Sequence, residues 1–514
     1  MIAPGRRCFL RGSLAAAAWL GTPTARRAWA DSAPPLLGLP KLALVIGNND
    51  YRRGRLKNPV NDAQAMADVL KQTAFDVSTK LNAGRAEMMS AIQTYADTVA
   101  KKKAVGLFYF AGHGVQLAWR NYLLPVDTVI DRFEDVEPRA VDVNALLAGL
   151  TQAKNPMNLI ILDACRSDPF GTDLKADQKG LSQMDAPPGT LLAYATAPGN
   201  VAADGDGTNG LYTEHLVREL KAPGAKVEDV FKRVRLGVRR KSLGRQIPWE
   251  STSLEEDFYF VPPPQLKKLS DAEKEKRFKE ELALWEKVQR ATEPGPLEEY
   301  LRRYPSGNFT ELAQLQLERV LARLGEKKIE MAAEANPYSK GSAVANTDYK
   351  VGDSYTYREL QLPSMQERTR YTAVITKISD GEVVFSNGAI TDLLGNLVRT
   401  LEGATYSPSQ NVPMEYAVGR QWTTRYTILT PERTVLAAEA EFKIVTRESV
   451  TVPAGTFNAF RVESKGRSWG RSMTEFSMIQ WFAPDKLRRR VAYERRVGPR
   501  QGGVRAELMA YKEN

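Results

Sequence analysis

The sequence predicts an α/β domain with a mainly parallel sheet, followed by a helical connector and a β-rich C-terminal domain. Between about residues 41 and 260, apolar runs bounded by turns alternate with stretches of 3.6-residue period, which is typical of βα units. From about residue 349 the runs become short and alternating, with Gly, Pro and Asn-Gly between them. This second pattern indicates an all-β sandwich or open barrel.

The first domain is predicted to cover residues 31–261, and its strands and helices alternate along the chain. The predicted strands lie at 41–48, 75–81, 104–110, 158–164 and 190–196. The predicted helices lie at 63–73, around 85–102, at 143–153, and on a stretch whose apolar face carries Val227, Val230, Phe231, Val234 and Val238. The run DFYF (257–260) is expected to close the domain.

Three prolines at 262–264 mark a boundary, because proline cannot continue the interior of a sheet. The connector, 262–340, is charged with helical spacing and is interrupted at 293–296 and 304–307. It fits either a short helical repeat or a charged spacer. The β-rich domain, 341–514, contains no His and no Cys, and its binding partner is unknown. We interpret its basic run at 486–490 as a solvated strand edge.

Residues 1–30 have the form of an export signal. They combine a basic start, a short apolar core at 13–21 and a small-x-small cleavage site at 28–30. The segment at 6–11, RRCFLR, resembles the twin-arginine box, so we expect a periplasmic or secreted protein without a membrane segment once the signal is removed. An ordinary secretory signal or a short anchor is the alternative.

Removal of the signal changes both the charge and the cysteine count. Cleavage would remove five arginines and lower the formal net charge from +11 to +6. No basic block with interleaved aromatic residues is present, so nucleic acid is not an expected partner. Cys165 then becomes the single thiol in an oxidising compartment, where it is either an inert buried side chain or a retained reactive group.

Two predicted strands end in reactive residues. His113 and Gly114 follow the run LFYF, and Cys165 follows LIILDA. The carboxyl ends of parallel strands share one edge of a sheet, so both groups are expected there. A Cys and a His suffice for acyl transfer. The backbone N–H groups of Gly114 and Cys165 can hold the developing oxyanion.

Several motifs identify the family that residues 41–260 resemble. They are LALVIGNNDY, LKNPVNDAQAMADVL, FYFAGHGVQ, NYLLPVD, LIILDACR and ATAPGNVAADGDGTNGLYTEHL. They resemble, in order, the caspase and metacaspase superfamily, in the form found as bacterial exported caspase-like proteins. His113 lies 52 residues before Cys165, and caspases place their His about 50 residues upstream of the Cys.

The resemblance implies a caspase-like three-layer sandwich and a cysteine endopeptidase acting on proteins or peptides. His113 would be the catalytic histidine, Cys165 the nucleophile, and Gly114 part of the oxyanion hole. Caspases bind a substrate aspartate with two arginines, whereas Leu56 stands at one of those positions and the region of the other holds acids. Carboxylates Asp163 and Asp204 favour a basic substrate residue, so we expect cleavage after Arg or Lys.

Other readings of the first domain stay open. The loop DGDGTN (204–209) has oxygens suited to calcium but lacks the full EF-hand spacing, so no metal or other cofactor is expected beyond this calcium hypothesis. The segment 171–189 is either a self-processing loop cut at Lys175 or Lys179, or a flexible loop. A catalytically silent scaffold, or an envelope binding protein acting through the β-rich domain, is the rival function.

Overall fold

The computed structural model describes residues 35–164, 180–198, 200, 207–263, 269–326, 336, 339–470, 472–498 and 502–514. The strands of the first domain are β1 Lys41–Gly47, β2 Asp76–Leu81, β3 Val105–Ala111, β4 Gly114–Leu117, β5 Arg120–Leu123, β6 Val141–Asp142, β7 Met157–Asp163, β8 Thr190–Tyr194 and β9 Trp249–Thr252. Its helices are α1 Pro59–Gln72, α2 Arg85–Lys102, α3 Val136–Arg139, α4 Val143–Ala153, α5 Leu211–Glu219 and α6 Val227–Lys241.

The central sheet has the strand order β2-β1-β3-β7-β8-β9, and only β9 runs antiparallel to its neighbour. Strands β3 and β7 are buried along their whole length. This burial explains why both strands read as unbroken apolar runs rather than as alternating patterns. The sheet therefore confirms the predicted mainly parallel α/β class.

Helices cover both faces of the sheet. Neighbouring side chains of a strand point to opposite faces, and on β3 a Cβ at Gly106 would lie 2.7 Å from the Tyr95 hydroxyl of α2. Tyr109, three positions later, hydrogen-bonds Thr213 of α5 at 2.7 Å. Helix α5 also contacts α1 and α6, whereas α2 contacts α4. These two helical layers with the sheet between them are the predicted three-layer sandwich.

The aromatic run DFYF lies at the chain end of this domain. The DFYF run forms no strand; Tyr259 makes one isolated bridge to Lys226, and the rings of Phe258 and Phe260 pack around Phe75. The sheet edge is instead β9, which the sequence pattern did not reveal. A second sheet, β4-β5-β6, is antiparallel and was also not predicted, because its strands have only two to four residues.

The connector is helical, as its spacing predicts. It contains α7 Asp271–Val288, α8 Pro294–Arg303 and α9 Thr310–Arg323. Helix α7 begins with a capping box between Ser270 and Glu273. The three helices enclose a small core around Trp285, Tyr300 and Phe309. None of the helices in the described part of the chain is long and apolar enough to cross a membrane.

The C-terminal region is an antiparallel β structure that closes on itself. Its strands are β10 Ser342–Val344, β11 Ser354–Gln361, β12 Gln366–Ser379, β13 Glu382–Phe385, β14 Ile390–Asp392, β15 Leu397–Arg399, β16 Thr405–Tyr406, β17 Glu415–Ala417, β18 Gln421–Leu429, β19 Val435–Val452, β20 Gly455–Trp469, β21 Met473–Phe482, β22 Arg490–Val497 and β23 Val504–Lys512. Strands β10 and β17 pair separately; the other strands form one closed barrel, with β11 hydrogen-bonded to β23.

Closure of this barrel corrects two expectations. The structure is neither a sandwich nor an open barrel, because β23 returns to pair with the first barrel strand. The basic run at 486–490 is not a solvated edge. The Arg488 side chain is 10% exposed and pairs with the fully buried Asp353 at 2.8 Å, and the Arg489 guanidinium lies 4.8 Å from the ring centroid of Phe385.

Candidate active site

Three parallel strands end at the same level of the sheet. Gly47 of β1 is in register with Ala111 of β3, and Ala111 is in register with Asp163 of β7. Gly112 extends the alignment by donating from its backbone N–H to Asp163 O at 3.3 Å. His113 and Cys165 each follow this aligned level by two positions in the sequence.

His113 is 2% exposed and is held by the loop after β1. Its backbone N–H donates to the Tyr51 hydroxyl at 2.9 Å, and that hydroxyl donates to Leu124 O at 3.0 Å. The Tyr51 ring lies 4.5 Å from the imidazole, centroid to centroid. A Cβ at Gly112 would lie 2.5 Å from the Tyr51 hydroxyl, so glycine is needed beside the histidine for this contact.

The imidazole of His113 is oriented by a carbonyl group. Nε2 lies 2.6 Å from the backbone O of Gly54. A carbonyl oxygen only accepts hydrogen bonds, so Nε2 carries the hydrogen and Nδ1 holds the lone pair in the neutral ring. The geometry therefore makes Nδ1 the basic nitrogen of His113.

Gly114 lies against the end of β7. A Cβ on Gly114 would be 2.7 Å from Ala164 O and 2.9 Å from Ala164 Cβ, and Ala164 is the residue before Cys165. Gly114 pairs with Leu123, and Leu124 N donates to His113 O at 3.0 Å. This pattern marks a non-hydrogen-bonded pair, so the Gly114 N–H points away from β5 and is not used in that ladder.

Asp163 is buried at the end of β7, with 2% exposure. Its carboxylate accepts from the Thr213 hydroxyl at 2.9 Å, and the Thr213 oxygen lies 2.7 Å from the Tyr109 hydroxyl. Burial raises the pKa of Tyr212 well above 10, and the Asp163 charge adds to this shift. The polar chain on Asp163 connects the strand to α5 of the outer layer.

Asp62 is a second buried carboxylate, and sequence reasoning missed it. It is fully buried in α1 and accepts from Gly210 N at 2.8 Å and from Asn209 Nδ2 at 3.0 Å. Thus Asp62 and Asp163 both bind the segment 209–213 at the start of α5. The sequence signal for Asp62 is the Asn-Asp pair in the motif LKNPVNDAQAMADVL.

Leu56 is buried, with Tyr51 and Tyr122 in the same small apolar cluster. No cation occupies that position. Four predicted residues lie outside the described part of the chain: Cys165, Asp204, Lys175 and Lys179. Of the loop considered for calcium, 204–209, the structure describes only residues 207–209. Among the described residues, no group of three or more His, Cys, Asp or Glu side chains could hold a metal ion.

The segment 180–187 links the site to the β-rich region. Leu181 lies against Gly114, and Ser182 N donates to Asn121 Oδ1 of β5 at 2.7 Å. Farther along, Asp185 accepts from the Ser339 hydroxyl at 2.6 Å and from Lys340 N at 2.7 Å. The residues just before β10 therefore hold the segment 180–187 in place, and this segment packs on the β4–β5 hairpin that follows His113.

Part of the chain is similar in sequence to known proteins. Residues 40–259 match the family model described as the caspase domain. The human protein named mucosa-associated lymphoid tissue lymphoma translocation protein 1 is 30% identical over 127 residues, and its mouse homolog is 29% identical over the same length. Each match covers 24% of this chain and 15% of the relative.

Proposed function

We propose, from the premise that residues 40–259 belong to the caspase domain family, that the chain is a cysteine endopeptidase with His113 and Cys165 as its catalytic dyad. The supporting observation is the register of β3 and β7, which aligns the strand ends that precede the two residues. The contact of Gly114 with Ala164 brings the two connecting backbones together at that edge.

The proposed reaction uses each group in turn. His113 Nδ1 takes the thiol proton of Cys165, and the thiolate attacks the carbonyl carbon of the scissile amide. The N–H groups of Gly114 and Cys165 stabilise the oxyanion. His113 then protonates the leaving amine, which departs and leaves a thioester. Water attacks the thioester with His113 as base, releasing the acid and restoring the thiol.

The proposed specificity is for Arg or Lys before the scissile bond. Two buried carboxylates, Asp62 and Asp163, meet the same segment at the start of α5, and Asp204 of the preceding loop would be a third acid. Leu56 supplies no charge that could bind a substrate aspartate. A pocket with acids and no arginine attracts a cation and repels an anion.

Hydrolysis of three matched fluorogenic peptides, with Arg, Lys or Asp before the reporter amide, tests the activity and the specificity together. We expect turnover of the Arg and Lys peptides and none of the Asp peptide. Asp62→Asn should reduce kcat/KM for the basic peptides by about tenfold, as expected for loss of one charge-assisted contact. Preference for the Asp peptide would refute the specificity.

Cys165→Ala and His113→Ala are the controls for the dyad, and Cys8 is the other thiol to be accounted for. We expect both variants to lose turnover, and iodoacetamide to label Cys165 faster in the wild type than in His113→Ala. Turnover that survives Cys165→Ala would disprove the dyad. Neither labelling nor turnover in the wild type would identify a silent scaffold instead.

We also propose export to the periplasm or the exterior by the twin-arginine route. The support is the arrangement of residues 1–30. Cell fractionation of the full chain and of Arg6→Lys/Arg7→Lys tests the route, because the pair of arginines is what the transport machinery reads. Unchanged export of the variant, with cleavage after Ala30, would indicate an ordinary secretory signal.

A further inference from the structure

A cleft between α5, α6 and α8 lies outside the proposed active site. Its volume is about 760 Å³, and basic and acidic side chains line most of it. Five Arg or Lys side chains face three Glu side chains among its lining residues. We call this space the interhelical cleft.

Gly237 of α6 lies at the centre of the cleft's α6 wall. Arg233 precedes it by four residues, and Arg240 and Lys241 follow by three and four, so all three cations share one helical face with Gly237. A Cβ on Gly237 would overlap the His215 ring. Glycine therefore lets the imidazole of α5 lie directly on this basic face.

The hydrogen-bond pattern fixes the tautomer of His215. Its Nδ1 lies 2.9 Å from Arg218 Nη2, which can only donate. Nδ1 is therefore the acceptor, and Nε2 of the neutral ring carries the hydrogen. His215 is 6% exposed, and its Nε2 has no hydrogen-bond partner among the described residues.

Arg233 Nε is the second buried donor of the cleft that has no acceptor among the described residues. Most cationic side chains around the cleft form an ion pair with a carboxylate: Arg218 pairs with Glu219 at 3.0 Å, and Arg240 pairs with Glu298 at 3.5 Å. Within the described residues Arg233 has no ion pair, and its buried Nε has no acceptor. A buried donor without an acceptor is unfavourable, so an acceptor that reaches this wall would be stabilised by it.

We propose that the interhelical cleft binds a small, multiply charged oxyanion of the phosphate type, with Arg233 as its main ligand and His215 as a neutral donor. The cleft has the volume of a small-molecule site. Arginine suits phosphate because its planar fork of N–H groups matches two phosphate oxygens. Among the described residues, the other four cations of the lining pair with acids, so the Arg233 guanidinium is the one that remains for the anion.

Inorganic pyrophosphate is the probe, measured by calorimetry and by imidazole NMR on the full chain. The chain has two histidines, so spectra of His113→Gln assign the His215 signals. We expect saturable binding that shifts the His215 Nε2 resonance and leaves His113 unchanged. Absence of saturable binding, or a shift confined to His113, would overturn the proposal. These readouts involve no peptide hydrolysis and are independent of the peptidase proposal.

Arg233→Gln should weaken pyrophosphate binding about tenfold, the scale of one lost charge-assisted hydrogen bond. Arg368→Gln is the control, since it removes an exposed arginine from β12, far along the chain in the barrel. Arg233→Lys keeps the charge and is the second variant if the first fails to fold; it should weaken binding several-fold by losing the fork. Equal affinity in the Arg233 and Arg368 variants would refute the site.

Discussion

Removal of the Tyr51 hydroxyl tests how the fold holds His113. In Tyr51→Phe the ring contact with the imidazole is retained, but the buried His113 N–H loses its acceptor. Leu124 O keeps a second donor, Asn48 Nδ2 at 3.2 Å. The net loss is therefore one buried unsatisfied donor, which costs about 1–3 kcal/mol.

Hydrogen exchange measured by mass spectrometry on peptides that contain β3 and β4 reports this cost as a lower free energy of local opening. Tyr95→Phe is a matched control in α2. Its hydroxyl is buried with no hydrogen-bond partner among the described residues, so its removal should be neutral or stabilising. If the two variants exchange alike, the Tyr51 hydroxyl does not hold the histidine backbone.

The same pair of variants separates positioning from folding in the proposed peptidase. A displaced imidazole lowers kcat, by up to about 100-fold for a shift near 1 Å, while KM should change little because Tyr51 contacts the histidine backbone rather than the Asp62 and Asp163 region. An equal fall of kcat in Tyr95→Phe would show a general loss of structure. Unchanged kcat in Tyr51→Phe would refute positioning through the hydroxyl.

Three further outcomes are expected. Gly114→Val should destabilise the domain by about 1–3 kcal/mol because its side chain overlaps Ala164; unchanged urea unfolding would contradict this. Asp185→Ala should speed hydrogen exchange in the segment just before β10 while β7 stays protected, because the two hydrogen bonds from that segment to Asp185 are lost. An equal change of exchange in the segment and in β7 would contradict this. Burial and the Arg218 guanidinium lower the pKa of His215 below 6.5, so the His215 imidazole binds a proton more readily in the unfolded chain than in the folded one. Stability should then fall as the pH drops below about 6.5, less so in His215→Asn, which urea titrations at several pH values can measure.

The sequence alone determined the parts of the fold that depend on local burial. The apolar runs at 41–48, 104–110 and 158–164 predict β1, β3 and β7, because a strand covered on both faces contains apolar residues without alternation. The 3.6-residue pattern predicts α6 for a similar reason: its apolar residues lie on one face, which packs into the core. These patterns depend only on consecutive residues, so they can be recognised without knowing which element packs against them.

Tertiary structure decided the polar contacts between distant residues. Asp62 reaches Gly210 across 148 positions, and Arg488 reaches Asp353 across 135. Neither pair produces a periodic pattern in the sequence, because a buried hydrogen bond or ion pair depends on where two packed elements bring single atoms within about 3 Å. The same reason explains why the sequence could name His113 and Gly114, but only the folded chain could show Tyr51 and Gly54 holding the imidazole.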